Sequence, residues 1–227
     1  MTPPAKPVVA AFDLDGTLTE GGSVFDWLRF VGGPGRVNRE ALRLALPLTI
    51  GGIRSGKYAD SAKERLFHAI LAGRNEDEVR RLSREFILHH LSDEGRDHVM
   101  ARLRWHREQG HDVVIVSASP QLYVDVVAEQ LGAAGGLGTR LAVDPRGALT
   151  GSYLGKNCRG TEKMRRLSEW ISSRNYEVEA EIYSYGNSRG DRRLLAMATY
   201  GYDCGKLGRF GALRAYPRLT KSPATQN

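Results

Sequence analysis

Three short apolar runs, each closed by a polar, glycine- or serine-bearing segment, constrain this 227-residue chain more than any other feature. Val8-Val9-Ala10-Ala11-Phe12 runs into Asp13-Leu14-Asp15-Gly16-Thr17. Val113-Val114-Ile115-Val116 runs into Ser117-Ala118-Ser119-Pro120. Glu181-Ile182-Tyr183-Ser184-Tyr185 runs into Gly186-Asn187-Ser188-Arg189-Gly190-Asp191. Continuous apolarity suits a strand covered on both faces, as in a parallel sheet. Helix-period stretches from Gln121 to Leu131 and from Arg192 to Thr199 follow the second and third runs. Another, Gly160 to Ser172, places Met164, Leu167 and Ile171 on one side and precedes the third run. This alternation predicts an α/β fold built on a parallel sheet.

Residues 19–96 follow another rule. No strand-like run occurs there, and helical stripes succeed one another: Val24, Trp27, Leu28 and Val31; Ala41, Leu44, Ala45 and Leu48; Ala62, Leu66 and Ile70; Val79, Leu82, Phe86 and Ile87. Gly32-Gly33-Pro34-Gly35, Gly51-Gly52 and Gly73-Arg74-Asn75 separate them. The segment reads as a helical insertion between the first and second strands. Gly132 to Gly138 reads as a glycine-rich loop, and Arg140 to Tyr153 as strands turning at Pro145-Arg146-Gly147.

Charge is distributed unevenly. The formal net charge is +7, and 26 of the 33 cationic residues are Arg. Residues 1–18 carry −1, 19–96 carry +2, 97–188 carry 0 and 189–227 carry +6. The near-neutral body must recognise an anion through a few placed residues. The excess marks residues 209–227 as a basic tail, expected to be loosely ordered from Pro217 onward. Phe210 and Tyr216 stand there among Arg209, Arg214 and Arg218, a composition suited to peripheral contact with an anionic membrane surface. No recognition motif accompanies the charge, which argues against nucleic acid as the partner. The two cysteines, Cys158 and Cys204, make neither a disulfide framework nor a zinc spacing. The short N-terminal apolar run meets Asp13 at once, unlike a signal peptide, and Leu44 to Ile53 falls short of a membrane span. A cytoplasmic location is the expectation.

Chemistry gathers where the three runs end, the edge at which open α/β sheets bind ligands. Asp13 and Asp15 alternate along an extended segment and project near one point before Gly16 allows a turn. Two such carboxylates repel unless a cation intervenes, and Mg2+ suits carboxylate, carbonyl and phosphate oxygens. Taken alone, the segment could equally be a loop with capping aspartates. Ser117 and Ser119 precede a helix starting at Pro120, where free amides attract an anion; a plain helix cap reads the same way. Lys156, Arg159 and Lys163 form a basic segment that could neutralise a phosphate or simply face solvent.

In this order, the four segments resemble the four motifs of the haloacid dehalogenase superfamily of phosphohydrolases. The insertion resembles the all-helical C1 cap of subfamily IB, which contains phosphoserine phosphatases and a bacterial phosphatidylglycerophosphatase. The resemblance extends from about Val8 to Thr199. It implies a Rossmannoid core formed by residues 1–18 and 97–208, with residues 19–96 as cap. It also implies a Mg2+-dependent phosphomonoester hydrolase with Asp13 as nucleophile and Asp15 as general acid and base. Ser117, Thr17 and Lys163 would hold the phosphoryl group, with Arg159 or Lys156 as alternatives to Lys163. Asp13, Asp15, Asn187 and Asp191 would serve the metal. Asp15 argues against carbon–halogen cleavage, which has no leaving oxygen to protonate.

Two departures stand out. Asn187 occupies a position where the family usually carries Asp, so a weakly active or purely phosphate-binding protein is a second expectation. The glutamate that phosphoserine phosphatases carry nine residues after the nucleophile is Gly22 here, with Glu20 two residues off, which disfavours phosphoserine. A small organic phosphate or a lipid headgroup is the expected partner. Cys158-Arg159-Gly160, Tyr183 to Gly186 and Leu44 to Ile53 are similar to the lipid-directed branch. The six histidines show no ligand spacing and read as surface or cap residues; Trp27, Trp105 and Trp170 read as packing residues.

Overall fold

β1 (Val8–Phe12) lies at the centre of a five-stranded sheet in which every pairing is parallel. The order is β3-β2-β1-β6-β7, from β2 (Asp112–Pro120), β3 (Gly135–Thr139), β6 (Glu181–Gly186) and β7 (Tyr200–Asp203). The computed structural model describes residues 6–50, 56–176 and 178–219, without the side chains of 45–50, 56–59 and 209. Much of the apolar stretch Leu44 to Ile53, and the end of the basic tail, lie outside the described residues.

The uninterrupted apolarity of β1 has the cause expected of it, because alternate residues enter different cores. Ala10 and Phe12, with Val113 and Ile115, join a large cluster with α5 (Asp97–Glu108) and α6 (Gln121–Leu131). Val9 and Ala11, with Val114 and Val116, join Leu167 of α7 (Thr161–Ser173) and Leu194 of α8 (Arg192–Ala196). This is the Rossmannoid arrangement read from the sequence, with α6 at its predicted bounds and α8 three residues shorter.

Two strands were not foreseen. The glycine-rich stretch 132–138 is not a loop throughout, since β3 begins at Gly135. A Cβ on Gly138 would sit 2.7 Å from the Cα of Gln121, and one on Gly136 2.9 Å from the Val124 carbonyl oxygen. The glycines let α6 approach the strand at backbone distance, a packing requirement that imitates loop composition. β7 is short, and its Tyr-Gly-Tyr-Asp composition lacks the apolar signal of its neighbours.

The insertion between β1 and β2 is helical as expected: α1 (Val24–Gly32), α2 (Pro34–Ile50), α3 (Gly56–Leu71) and α4 (Glu76–Glu94). Trp27 is buried within it and donates its indole N–H to Ser83 Oγ at 2.8 Å. The chain leaves and re-enters the sheet through one neck. There Thr19 pairs with Gly95, the Glu20 N–H donates to the Glu94 carbonyl and the Arg96 N–H to that of Leu18, both at 2.8 Å. The segment read as strands around Pro145 is an antiparallel hairpin of β4 (Leu141–Val143) and β5 (Leu149–Tyr153). It lies against α3, with Gly151 packed on His68 and Asn75 bridged to Ala148.

Two expectations need correction. His106 is not a surface or cap residue. It is fully buried in α5, its Nε2 lies 2.8 Å from the Tyr185 hydroxyl, and its Nδ1 lies 2.7 Å from Nδ1 of His111. Helical periodicity alone did not distinguish a core imidazole satisfied by a tyrosine from a solvated one. Nor does the described part of the basic tail stand apart. Leu213 and Leu219 are buried, and the Leu219 N–H donates to the Asp203 carbonyl, so the chain beyond β7 packs along the sheet edge.

Candidate active site

The carboxyl ends of β1, β2 and β6 converge on a cavity of about 280 Å³ lined by Asp13, Asp15, Ser117, Lys163, Asn187 and Asp191, among others. At the end of β1 the backbone enters a tight turn, Leu14–Leu18, in which Asp15 and Gly16 depart from helical dihedrals. Gly16 takes φ +79° inside it, and the Asn187 amide occupies the space a Cβ there would fill. Glycine is thus required twice, for its conformation and for the close approach of the third polar segment.

Asp13 is buried. Its N–H donates to the Tyr185 carbonyl at 2.9 Å, its Oδ2 accepts from Thr17 Oγ1 at 2.7 Å, and its Oδ1 accepts from Lys163 Nζ at 2.5 Å. Lys163 also reaches Asp191 Oδ1 at 2.7 Å. The other Asp191 oxygen accepts from the N–H groups of Asn187 and Ser188 and from the Ser188 hydroxyl. Both of its oxygens are therefore engaged, and Asp191 orients Lys163 and the Asn187 turn. Burial, with the Asp191 charge adding to it, pushes the Asp13 carboxyl up to about 7 against the pull of Lys163 and Thr17. Burial opposes ionisation at Lys163 and Asp191 as well, but attraction prevails: Asp13 and then Asp191 hold the lysine above its ordinary range, and Lys163 holds Asp191 below its own.

Asp15 is held differently. Its Oδ1 accepts from the Ser23 N–H and hydroxyl, both at 2.6 Å, and its Oδ2 accepts from Ser119 Oγ at 2.8 Å. Ser119 is not a helix cap, because its hydroxyl is spent on Asp15 and the residue preceding α6 is Pro120, without a side-chain cap. Ser117 is buried and its Oγ accepts the Ser119 N–H at 3.1 Å, leaving its own proton to donate. Of the three candidate cations, Lys163 meets Asp13. Arg159 lines the same cavity, whereas Lys156 lines a wider cleft of about 900 Å³ outside it. Arg159 and Asp60 line both.

The site also contains residues the sequence did not single out. Lys63, from α3, lines the inner cavity and donates to the Ala118 carbonyl at 2.8 Å. Ser23, one residue before α1, reads as an ordinary cap but serves Asp15. Arg96 is buried, and its Nη1 donates to the carbonyls of Gly16 and Cys204, both at 2.7 Å, bracing the turn from beneath. Helical spacing carries no mark of these long-range partners.

Residues 10–196 match the haloacid dehalogenase-like hydrolase family. The chain belongs to this family. Among relatives of this hydrolase, protein CicA of Caulobacter vibrioides is 34% identical over 195 residues, covering 85% of this chain and 84% of that one. A histidinol-phosphatase of Neisseria meningitidis is 25% identical over 197 residues, with 84% and 87% covered. Among solved structures, a protein of unknown function from Bordetella pertussis Tohama I gives a TM-score of 0.79 at 21% identity, covering 96% of this chain and 100% of its own. A phospho-aspartyl intermediate analogue of phosphoserine phosphatase gives 0.59 at 18% identity, covering 89% and 88%. These two likenesses concern the fold, and they agree with the parallel sheet and helices described above.

In this haloacid dehalogenase-like hydrolase, Asp13, Asp15, Asn187 and Asp191 line the cavity and offer carboxylate, carbonyl and amide oxygens that could hold a metal. Such donors fit a hard divalent cation. Asn187 supports the fit, since its amide is pressed against Gly16 and its side chain makes no hydrogen bond among the described residues. Among those residues no cluster of three His, Cys, Asp or Glu is gathered for a metal.

Proposed function

We propose that this hydrolase cleaves phosphate monoesters, using Asp13 as nucleophile and Mg2+ as cofactor. The observation that carries the reading is the division of labour between the two aspartates. Asp13 faces a lysine, while Asp15, two residues on, is held by three neutral donors at the same cavity. An Asp13 oxygen attacks phosphorus, forming an aspartyl phosphate as the ester P–O bond breaks, and Asp15 delivers its proton to the leaving oxygen. Asp15 then takes a proton from water as that water attacks phosphorus, which frees Asp13 and inorganic phosphate. Lys163, fixed by Asp191, and the Ser117 hydroxyl balance charge on the phosphoryl oxygens. When bound at Asp13, the Asp15 carbonyl and Asn187, Mg2+ supplies Lewis acidity toward the phosphoryl group.

On this reading residues 1–18 and 97–208 form the catalytic unit and residues 19–96 its cap. Phosphoserine is not favoured: Glu20 pairs with Lys206 at 2.7 Å and does not line the cavity. No helix among the described residues is long and apolar enough to cross a membrane. A lipid phosphate would therefore be reached from the membrane surface, which the cationic tail and its aromatics support. The test is hydrolysis of p-nitrophenyl phosphate with Mg2+ and with EDTA. A panel of phosphoserine, histidinol phosphate and phosphatidylglycerophosphate extends it. Turnover that needs Mg2+ and falls at least a thousandfold in Asp13→Asn is the expected result. A wild-type chain that binds phosphate but turns over nothing would favour a phosphate-binding role instead.

A further inference from the structure

Lys63 is a cation the scheme above does not use. It is half-buried, its Nζ lies 5.6 Å from the centre of the Phe67 ring, and it reaches the inner cavity from the insertion rather than from the sheet. An ammonium has three N–H donors. The Ala118 carbonyl takes one, and no carboxylate lies within ion-pair distance among the described residues. Desolvation works against its charge, as do the neighbouring cations Arg159 and Lys163, while Asp15 and Asp60 support it. Its acceptor belongs to the residue between Ser117 and Ser119, so the ammonium is fixed at the end of β2 that also supplies the hydroxyl holding Asp15.

Resting on the phosphatase reading, we infer that Lys63 is a specificity-determining residue. Its spare donors bind an acidic or oxygen acceptor group on the carbon next to the ester carbon of the leaving group. Asp15 is the group that must meet the leaving oxygen, and Lys63, held by its bond to Ala118, brings a cation from the insertion into the cavity that Asp15 lines. A polar acceptor there completes the ammonium's hydrogen bonding, whereas an alkyl chain leaves two donors unmet and an ammonium-bearing chain adds repulsion. The substrate class is thus a phosphate ester of a hydroxy acid or a vicinal diol, in preference to one of a simple or cationic alcohol.

A two-carbon series separates these possibilities: 2-phosphoglycolate, 2-hydroxyethyl phosphate, ethyl phosphate and phosphoethanolamine, which differ in the second group and little in size. The expected order of kcat/KM is carboxylate, hydroxyl, methyl, ammonium, with about ten- to a hundredfold between the ends. Lys63→Met should flatten the series, mainly through KM for the acid, and Lys63→Arg should restore part of it. A merely structural lysine would lower all four rates together and keep their ratios. A flat wild-type series, a preference for phosphoethanolamine, or an unchanged order in Lys63→Met would overturn the inference. If no ester, p-nitrophenyl phosphate included, is turned over, the phosphatase reading fails. Calorimetric affinities of the same four esters for wild type and Lys63→Met then decide the role of Lys63 by the same order.

Discussion

At the scale of single residues, the site is a set of carboxylates whose partners differ. Asp13 and Asp191 share one lysine, and Asp15 has only neutral donors. On the proposed function, Asn187 is the residue on which metal affinity would turn, because its amide offers an oxygen but no charge. Asn187→Asp adds that charge in the same space, so the Mg2+ concentration for half-maximal turnover should fall by several-fold. A Mg2+ titration of both proteins checks it; equal midpoints would remove Asn187 from the metal site. Asp13, Ser117 and Asn187 were legible in the sequence because they follow or close apolar strands, where a polar residue has few structural uses, whereas Lys163, in α7, was reached through the family resemblance. Lys63, Ser23 and Arg96 were not legible. Each acts across a separation that only the folded insertion closes, and each looks locally like an ordinary helix or cap residue.

At the scale of elements, the same contrast separates β1 from β3. β1 announced itself by burying both faces with branched and aromatic side chains. β3 was hidden because close contact with α6 demands glycine, and glycine reads as loop. The turn Leu14–Leu18 needs support from outside, since Asp15 and Gly16 depart from helical dihedrals within it. Arg96 supplies part of that support by donating to the carbonyls of Gly16, Thr17 and Cys204, two in the turn and one just after β7. Arg96→Met removes these bonds and leaves those oxygens without their partner. The expected cost is about 2–4 kcal/mol, read as a lower denaturant midpoint. Turnover should fall further than stability does, because the turn that carries Asp15 loses its support. A variant with wild-type midpoint and rate would show that the turn holds without this brace.

At the scale of the whole molecule, both sides of the sheet bury titratable groups: Glu162, Lys163 and Arg166 of α7 on one, His106 of α5 on the other. Burial first, and then the nearby charges of His111 and Arg102, push His106 down to about 3. An unfolded imidazole titrates near its ordinary 6.5, so between these values the unfolded chain binds more protons than the folded one. The contribution is intact above about pH 6.5 and is lost progressively as pH falls toward 3. At pH 5 the loss from this residue is about 2 kcal/mol. Denaturation curves for wild type and His106→Asn at pH 7 and pH 5 should show a smaller acid-dependent loss in the variant. Equal losses would assign the acid sensitivity elsewhere. A last consequence follows from the way the insertion is attached. Backbone pairing of Thr19 with Gly95 joins the two ends of the insertion at one neck, and the hairpin, closed at its base by the bond from the Leu154 N–H to the Arg140 carbonyl, lies on α3. A segment tied at one neck moves as a flap about it, and Asp60, Lys63 and Glu64, all on α3, would then move as one edge.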